Sequence, residues 1–364
     1  MRQGQRQAPW KPPVNVVLVG CGAVARSYYL PALTRLRAGG WVGAVRLFDL
    51  KPMRATEAAS LLPASSVARG WEDVLEGADE LAIVASPPVA HAEQVRALLE
   101  HKKHVLCEKP FVLDRAAGES LVDLARERGL LCAAGMVRRF SRSACLLRQL
   151  LSEERPIRLV WHEGSPFRWP IDSPAYFASE AGNQLLWDIG SHVIDLLVWW
   201  LGVPHELVCR DDAMGGIATN CLLELEWPNG CSGEVRLSRE YDLAGGLFVE
   251  LPSGVLTCRN ITEAEVLRGS QEAAAAGFEQ GIPGATAPAG RTFADCFELQ
   301  LENVLAAVRG AASLWAPAED VVDSVGVLAT TEAESRLLES PWLGRRELET
   351  ARALRARGGE LASC

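Results

Sequence analysis

Val14-Asn15-Val16-Val17-Leu18-Val19 runs directly into Gly20-Cys21-Gly22-Ala23-Val24-Ala25. A short run dominated by valine, ending at a glycine, is the pattern of a strand buried on both faces of a parallel sheet. A helix-like stretch follows to about Ala38, where Gly39-Gly40 stops it. Working outward, Val42 to Phe48 reads as a second strand closed by Asp49, and Ala55 to Leu62 as a helix. Strand-like Glu80 to Ala85, closed by Ser86-Pro87-Pro88, precedes a helix from His91 to Leu99. Strand-like His104 to Cys107, closed by Glu108-Lys109-Pro110, precedes a helix from Asp114 to Arg128 and a strand from Leu130 to Ala134. Repeated βα units of this length predict a doubly wound parallel sheet.

The first turn carries chemistry. G-x-G-x-x-A sits between strand and helix, with Asp49 at the end of the next strand, 24 residues beyond Ala25. Gly20 makes the tight turn, Gly22 lets a pyrophosphate approach the backbone, and the small Ala25 allows close helix–strand packing. The helix start at Ala23 and Val24 offers unpaired N–H groups to phosphates. Asp49 at this spacing predicts a carboxylate for the adenosine ribose. A carboxylate repels a 2′-phosphate, so NAD is the expected cofactor. Lys51 and Arg54 lie just beyond and keep NADP as the alternative.

After about Phe140 the pattern changes. Ile157 to Glu163, Leu207 to Arg210, Cys221 to Trp227 and Ser232 to Arg239 read as strands, with Pro228-Asn229-Gly230 as a hairpin. Leu247 to Leu251 and Val255 to Arg259 flank a second hairpin at Pro252-Ser253-Gly254. Asp188 to Leu201 is an apolar helix, residues 269–290 read as a long loop rich in Ala, Gly and Pro, and two helices follow at about Phe293 to Arg309 and Glu319 to Leu338. The expectation is an α/β chain followed by α+β. An N-terminal Rossmann dinucleotide-binding domain spans 14–137, and a C-terminal α/β domain on an open, mainly antiparallel sheet spans 138–345. Residues 1–13 and 346–364 are tails.

At 364 residues the chain is long enough for two cores. Its net charge of −9 argues against nucleic acid or an anionic membrane as partner, since both need a basic surface. The run from Val193 to Val203 is too short to span a membrane and contains Asp195. Ten cysteines form no C-x-x-C pair and no metal spacing is evident, so no metal site is expected. With no secretory signal in the first residues, a reduced, cytoplasmic protein is the simplest account. Of 37 cations only five are lysines, and none follows Lys109. A GC-rich coding sequence explains the arginines, and Lys109, in Glu108-Lys109-Pro110, is one of the five positions that kept a lysine.

Taken in order, Gly20-Cys21-Gly22-x-x-Ala25, Ser86-Pro87-Pro88 with His91, Glu108-Lys109-Pro110 and Asp188-Ile189-Gly190-Ser191-His192 resemble the glucose–fructose oxidoreductase/inositol dehydrogenase (Gfo/Idh/MocA) family. The resemblance covers about Val14 to Leu338. It departs at Gly182-Asn183-Gln184, where glycines are usual, and in the Trp- and Pro-rich segment from Trp161 to Tyr176. It implies cofactor contacts from Ser86, Pro87, His91, Glu108 and Lys109, a Lys109–Pro110 peptide that is often cis, and a catalytic trio of Lys109, Asp188 and His192. It also implies that the 138–345 domain serves substrate binding and oligomerisation, as a homodimer or homotetramer paired through the outer face of the second sheet.

The trio makes physical sense. Interconverting an alcohol and a carbonyl needs a group that takes and returns the hydroxyl proton. His192 can change charge near neutral pH, Asp188 one turn earlier can orient it, and Lys109 can stabilise a developing alkoxide. Taken singly, Asp188 is as easily a helix N-cap, His192 a structural imidazole and Lys109 a solvated cation. Trp161, His162, Arg168, Trp169, Tyr176 and Asn183 are candidate substrate contacts. For the tryptophans, core or interface is an equal alternative. The expected activity is hydride transfer between a nicotinamide and a carbonyl or secondary alcohol of a sugar, cyclitol or related polyol. Imine reduction and a non-enzymatic dinucleotide sensor are the alternatives.

Overall fold

The computed structural model describes residues 12–166, 185–213, 217–243, 246–262, 266–269, 276–277, 290, 292–339, 345–346, 349–350 and 352–353. The chain divides into two compact units. The first comprises residues 1–141 and 287–325, the second 142–286 and 326–364.

The first unit carries a six-stranded sheet of β1 (Val14–Val19), β2 (Val42–Phe48), β3 (Ser66–Val67), β4 (Leu81–Val84), β5 (His104–Cys107) and β6 (Cys132–Ala134). All pairings are parallel, in the order β3-β2-β1-β4-β5-β6. This is the doubly wound order, with its reversal between β1 and β4. β1 and β4 are buried almost throughout, which is why their sequences read as continuous apolar runs. The helices are α1 (Leu30–Ala38), α2 (Pro52–Leu61), α3 (Trp71–Glu76), α4 (His91–Glu100) and α5 (Arg115–Arg128). Asp114 caps α5 by accepting from Ala117 N at 2.8 Å.

The first unit also takes in a segment that the sequence reading assigned to the second domain, so the contiguous 137/138 boundary gives way to a discontinuous one. Residues 287–325 carry α8 (Phe293–Val308) and the start of α9 (Ala318–Ala333). Phe293 and Phe297 of α8 close an aromatic cluster with Tyr28 and Tyr29. Arg309 pairs with Glu80, and Ala134 N donates to Ala316 O at 3.0 Å, covering the β6 edge. Such long-range contacts leave no local mark in the sequence.

The second unit is built on nine strands: β7 (Arg158–Gly164), β8 (Glu206–Asp211), β9 (Asn220–Glu226), β10 (Ser232–Ser238), β11 (Gly246–Leu251), β12 (Gly254–Cys258), β13 (Leu267–Gly269), β14 (Ala276–Gly277) and β15 (Arg336–Leu337). Their order is β14-β13-β12-β11-β7-β10-β9-β8-β15, antiparallel except for β7 with β10 and β8 with β15. The expected architecture of a parallel Rossmann sheet followed by a mainly antiparallel one is borne out. Helix α6 (Arg142–Glu153) and helix α7 (Ser191–Leu201) belong to this unit. Three readings are corrected. Helix α6 was not anticipated. The last predicted helix ends at Ala333, and Arg336–Leu337 is a strand. Part of the expected 269–290 loop is the short strand β14; most of that loop lies outside the described residues. Two-residue edge strands owe their existence to backbone pairing with a neighbour, which periodicity cannot register.

Candidate functional site

In the first unit the glycine turn, Ser86 and the Glu108-Lys109-Pro110 turn stand at the carboxyl ends of β1, β4 and β5, neighbours in one sheet. Ligands of open α/β sheets bind at that edge, beside the reversal of strand order. Gly20 has φ +92°, and a Cβ there would stand 2.5 Å from Ala85 O, so only glycine fits. A Cβ on Gly22 would meet nothing within 4 Å among the described residues, so the backbone there is open to a ligand. The helix begins with a π-helical segment, Ala25–Tyr29, that runs into α1. Asp49 holds the turn from beside it: Oδ2 accepts from Cys21 N at 2.9 Å and Oδ1 from Lys51 N at 2.8 Å. A carboxylate has about four lone-pair positions, so both oxygens keep capacity for ribose hydroxyls. The open backbone at Gly22 and the remaining acceptors of Asp49 fit a dinucleotide.

His91 differs from its expected role. Its side chain is fully buried, with Nδ1 2.8 Å from Pro110 O and Nε2 2.9 Å from Ser86 O. Both ring nitrogens are thereby engaged within the protein, so His91 joins the Ser86 and Pro110 turns and does not itself face a ligand. Burial lowers its pKa, although the carbonyl oxygens favour the charged form. Ser86 Oγ donates to Gln94 Oε1 at 2.6 Å, and Pro87 precedes a 3-10 turn at Pro88–Ala90. Glu108 is buried and accepts from the Tyr29 hydroxyl at 2.6 Å and from Lys109 N at 3.1 Å. Burial pushes its carboxyl upward, and the Tyr29 donor and the Lys109 charge pull it down. The Lys109–Pro110 peptide is cis, as expected.

In the second unit, Asp188 lies inside a second π-helical segment, Leu186–Gly190, that leads into α7. It is therefore not an N-cap, and its carboxylate pairs with Arg239, the residue following β10. His192 is buried in the first turn of α7. Gly190 lies against Leu237 of β10, so the segment packs onto that strand. Sequence reasoning passed over Arg239 because no local pattern links a strand-end arginine to a helix 51 residues away. It also passed over Tyr29, whose one signal was its place a single turn beyond Ala25.

Two substrate candidates change. Trp161 is buried and stacks on Trp200 of α7, with ring centroids 5.8 Å apart, so it belongs to the core. His162 points to the opposite face of the sheet by strand alternation, beside Glu234 with Nε2 3.8 Å from Oε1. It therefore lies on the other side of β7 from α7. Arg168, Trp169, Tyr176 and Asn183 lie outside the described residues. Lys109 belongs to the first unit, Asp188 and His192 to the second.

Residues 14–136 match the family model described as "Oxidoreductase family, NAD-binding Rossmann fold" (GFO_IDH_MocA). The matched stretch carries the glycine turn, Ser86-Pro87-Pro88 and Glu108-Lys109-Pro110. Among similar proteins, a dTDP-3,4-didehydro-2,6-dideoxy-alpha-D-glucose 3-reductase of Actinomadura kijaniata is 36% identical over 222 residues, 57% of this chain and 64% of that protein. A scyllo-inositol 2-dehydrogenase (NADP(+)) of Bacillus subtilis is 26% identical over 200 residues, 54% of each chain. The chain spans about half the length of most curated relatives it matches. The fold is shared with a 3-ketoreductase from Actinomadura kijaniata solved with NADP and TDP-benzene, at TM-score 0.75 and 22% identity over 91% of this chain and 100% of the other. No described helix is long and apolar enough to cross a membrane.

Proposed function

We propose that this protein is an NAD(P)-dependent oxidoreductase acting on a carbonyl or secondary alcohol of a sugar, cyclitol or related polyol. The observation that carries the reading is the placing of Lys109 at the carboxyl end of β5, in the same sheet edge as the glycine turn, in a chain with no later lysine. The relatives' activities on an inositol and a nucleotide-activated sugar support the substrate class.

In this reading Lys109, Asp188 and His192 are the catalytic residues. A bound nicotinamide supplies the hydride or accepts it. The Lys109 ammonium donates to the substrate oxygen and stabilises its developing negative charge. His192 removes the hydroxyl proton in oxidation and returns it in reduction. Asp188, held by Arg239, orients the imidazole. Asp49 favours NAD, with Lys51 and Arg54 as the residues that would admit NADP. The protein is a cytoplasmic homodimer or homotetramer, with neither nucleic acid nor membrane as partner.

The test is turnover with NAD and NADP across inositols, aldoses and nucleotide-activated sugars. Lys109→Ala and His192→Ala should each lower kcat by about 10²-fold or more, the scale of acid–base catalysis. No turnover on the whole panel, or near-normal turnover in either variant, would sink the reading.

A further inference from the structure

We propose that Tyr29 and Gln300 are positioning residues for the Lys109 turn: they hold the Glu108 carboxylate and so tie the helix after the glycine turn to the lysine. This rests on the assignment of Lys109 above. All the residues involved lie in the first unit.

The chain of contacts is short and buried. Gln300 Nε2 of α8 donates to the Tyr29 hydroxyl at 3.3 Å, and that hydroxyl donates to Glu108 Oε1 at 2.6 Å. The other oxygen of Glu108 accepts the Lys109 backbone N–H at 3.1 Å. Tyr29 is fully buried, Gln300 is 1% exposed and Glu108 is 6% exposed. Phe297 holds the Tyr29 ring edge-on, at 5.2 Å between centroids. On the far side, a Cβ on Gly135 would stand 2.9 Å from the Glu108 Cα, so the backbone of Glu108 is confined as well.

Packing alone does not account for these residue types. Phenylalanine and an aliphatic side chain would fill the same space without burying a hydroxyl and an amide, which is costly unless they are used. Gln300 Oε1 is in fact buried without a hydrogen-bond partner among the described residues. What the polar residues achieve is a donor for a carboxylate whose charged form burial disfavours. The groups acting on Glu108 are Tyr29 from the helix and Lys109 from its own turn. Cys107 of β5 acts on Tyr29, and His91 of α4 faces the Pro110 end of the turn. Kept ionised, Glu108 places a negative charge beside the Lys109 ammonium and favours its charged form. Without the Tyr29 hydroxyl, Glu108 takes up a proton more readily, and Lys109 loses that support and becomes more acidic.

Tyr29→Phe keeps the ring and removes the donor. The expected result is a modestly lower melting temperature, since a buried carboxylate loses a donor, NADH affinity by fluorescence within about 3-fold, and kcat down by about 10-fold, less than the roughly 10²–10⁴-fold of a group that itself transfers the proton. The basic limb of the kcat–pH profile should move to lower pH. Glu108→Gln should do the same, and adding Tyr29→Phe to it should cost nothing further, as for residues acting in one network. Gln300→Met should move the limb the same way by a smaller step, which reads the network with Tyr29 intact. Wild-type kcat and pH profile in Tyr29→Phe, alongside an inactive Lys109→Ala, overturns the proposal alone. So does a full additive loss in the double variant. An active Lys109→Ala overturns the Lys109 assignment and this proposal with it.

Discussion

At Gly20 a single methyl group decides whether the turn can form. The residue has φ +92° and its Cβ would lie 2.5 Å from a backbone oxygen, so strain and clash act together. Gly20→Ala should lower the urea unfolding free energy by about 1–3 kcal/mol, the cost of a side chain in a forbidden backbone region, and weaken NADH binding. Its neighbour Cys21 is buried, and burial together with the Asp49 charge pushes its thiol up to about 12. At pH near 8 it is therefore a thiol and not a nucleophile. Iodoacetamide should leave Cys21 unmodified in the native protein and label it after denaturation, as read by mass spectrometry. Lys109→Arg is the sharper companion to the alanine variant. Guanidinium is larger, planar and always charged, so it does not replace a compact ammonium at a reacting oxygen, and kcat should fall by about 10²-fold. Retained activity would remove the meaning we give to the lysine.

Among the elements, the two π-helical segments stand out. Ala25–Tyr29 follows the glycine turn and Leu186–Gly190 carries Asp188, so Tyr29 and Asp188 each sit at a local widening of a helix. Such widenings occur often at functional sites because they turn side chains off the regular helical track. This alters the simple i, i+4 argument for Asp188 and His192: the carboxylate is drawn to Arg239 while the imidazole begins the regular helix. Ordinary capping rules hold elsewhere. Asp114 caps α5, and Thr292 forms a reciprocal capping box with Asp295 at the start of α8. Asp114→Ala and Thr292→Ala should each lower stability by about 1 kcal/mol in urea titrations, without changing NADH affinity.

The whole molecule should lose stability in mild acid. Burial lowers the pKa of His91 and His104, so the unfolded chain binds more protons than the folded one as pH falls below the ordinary imidazole value of about 6.5. Stability is then complete above that value and declines as pH drops through it toward the folded pKa values. Glu108 works the other way, but only above its unfolded pKa of about 4.3 and up to its raised folded value. The urea midpoint should therefore decrease as pH falls below about 6.5. His104 accepts from Leu131 N through Nδ1 at 3.0 Å, so protonation there sets two N–H groups against each other. His104→Asn should flatten the slope; an unchanged slope would assign the effect to His91.

Local physics made much of this molecule readable before any tertiary contact was known. Valine runs buried on both faces, glycine turns and alternating strands are short-range consequences of residue type, and they specified both sheets and the Gly20, Asp49 and Lys109 landmarks. Hidden from that reading was whatever depends on residues distant in the chain. The capture of α8 by the first unit, the pairing of Asp188 with Arg239 and the burial of His91 between two carbonyls all join segments with no shared local pattern. The same limit separates Trp161 from His162. Alternation shows that neighbours point to opposite faces, but only the packing of Trp200 shows which face is core. Chain sequence sets what each segment can become, whereas burial and charge pairing, which arise only when segments meet, decide which of its polar groups remain available for chemistry.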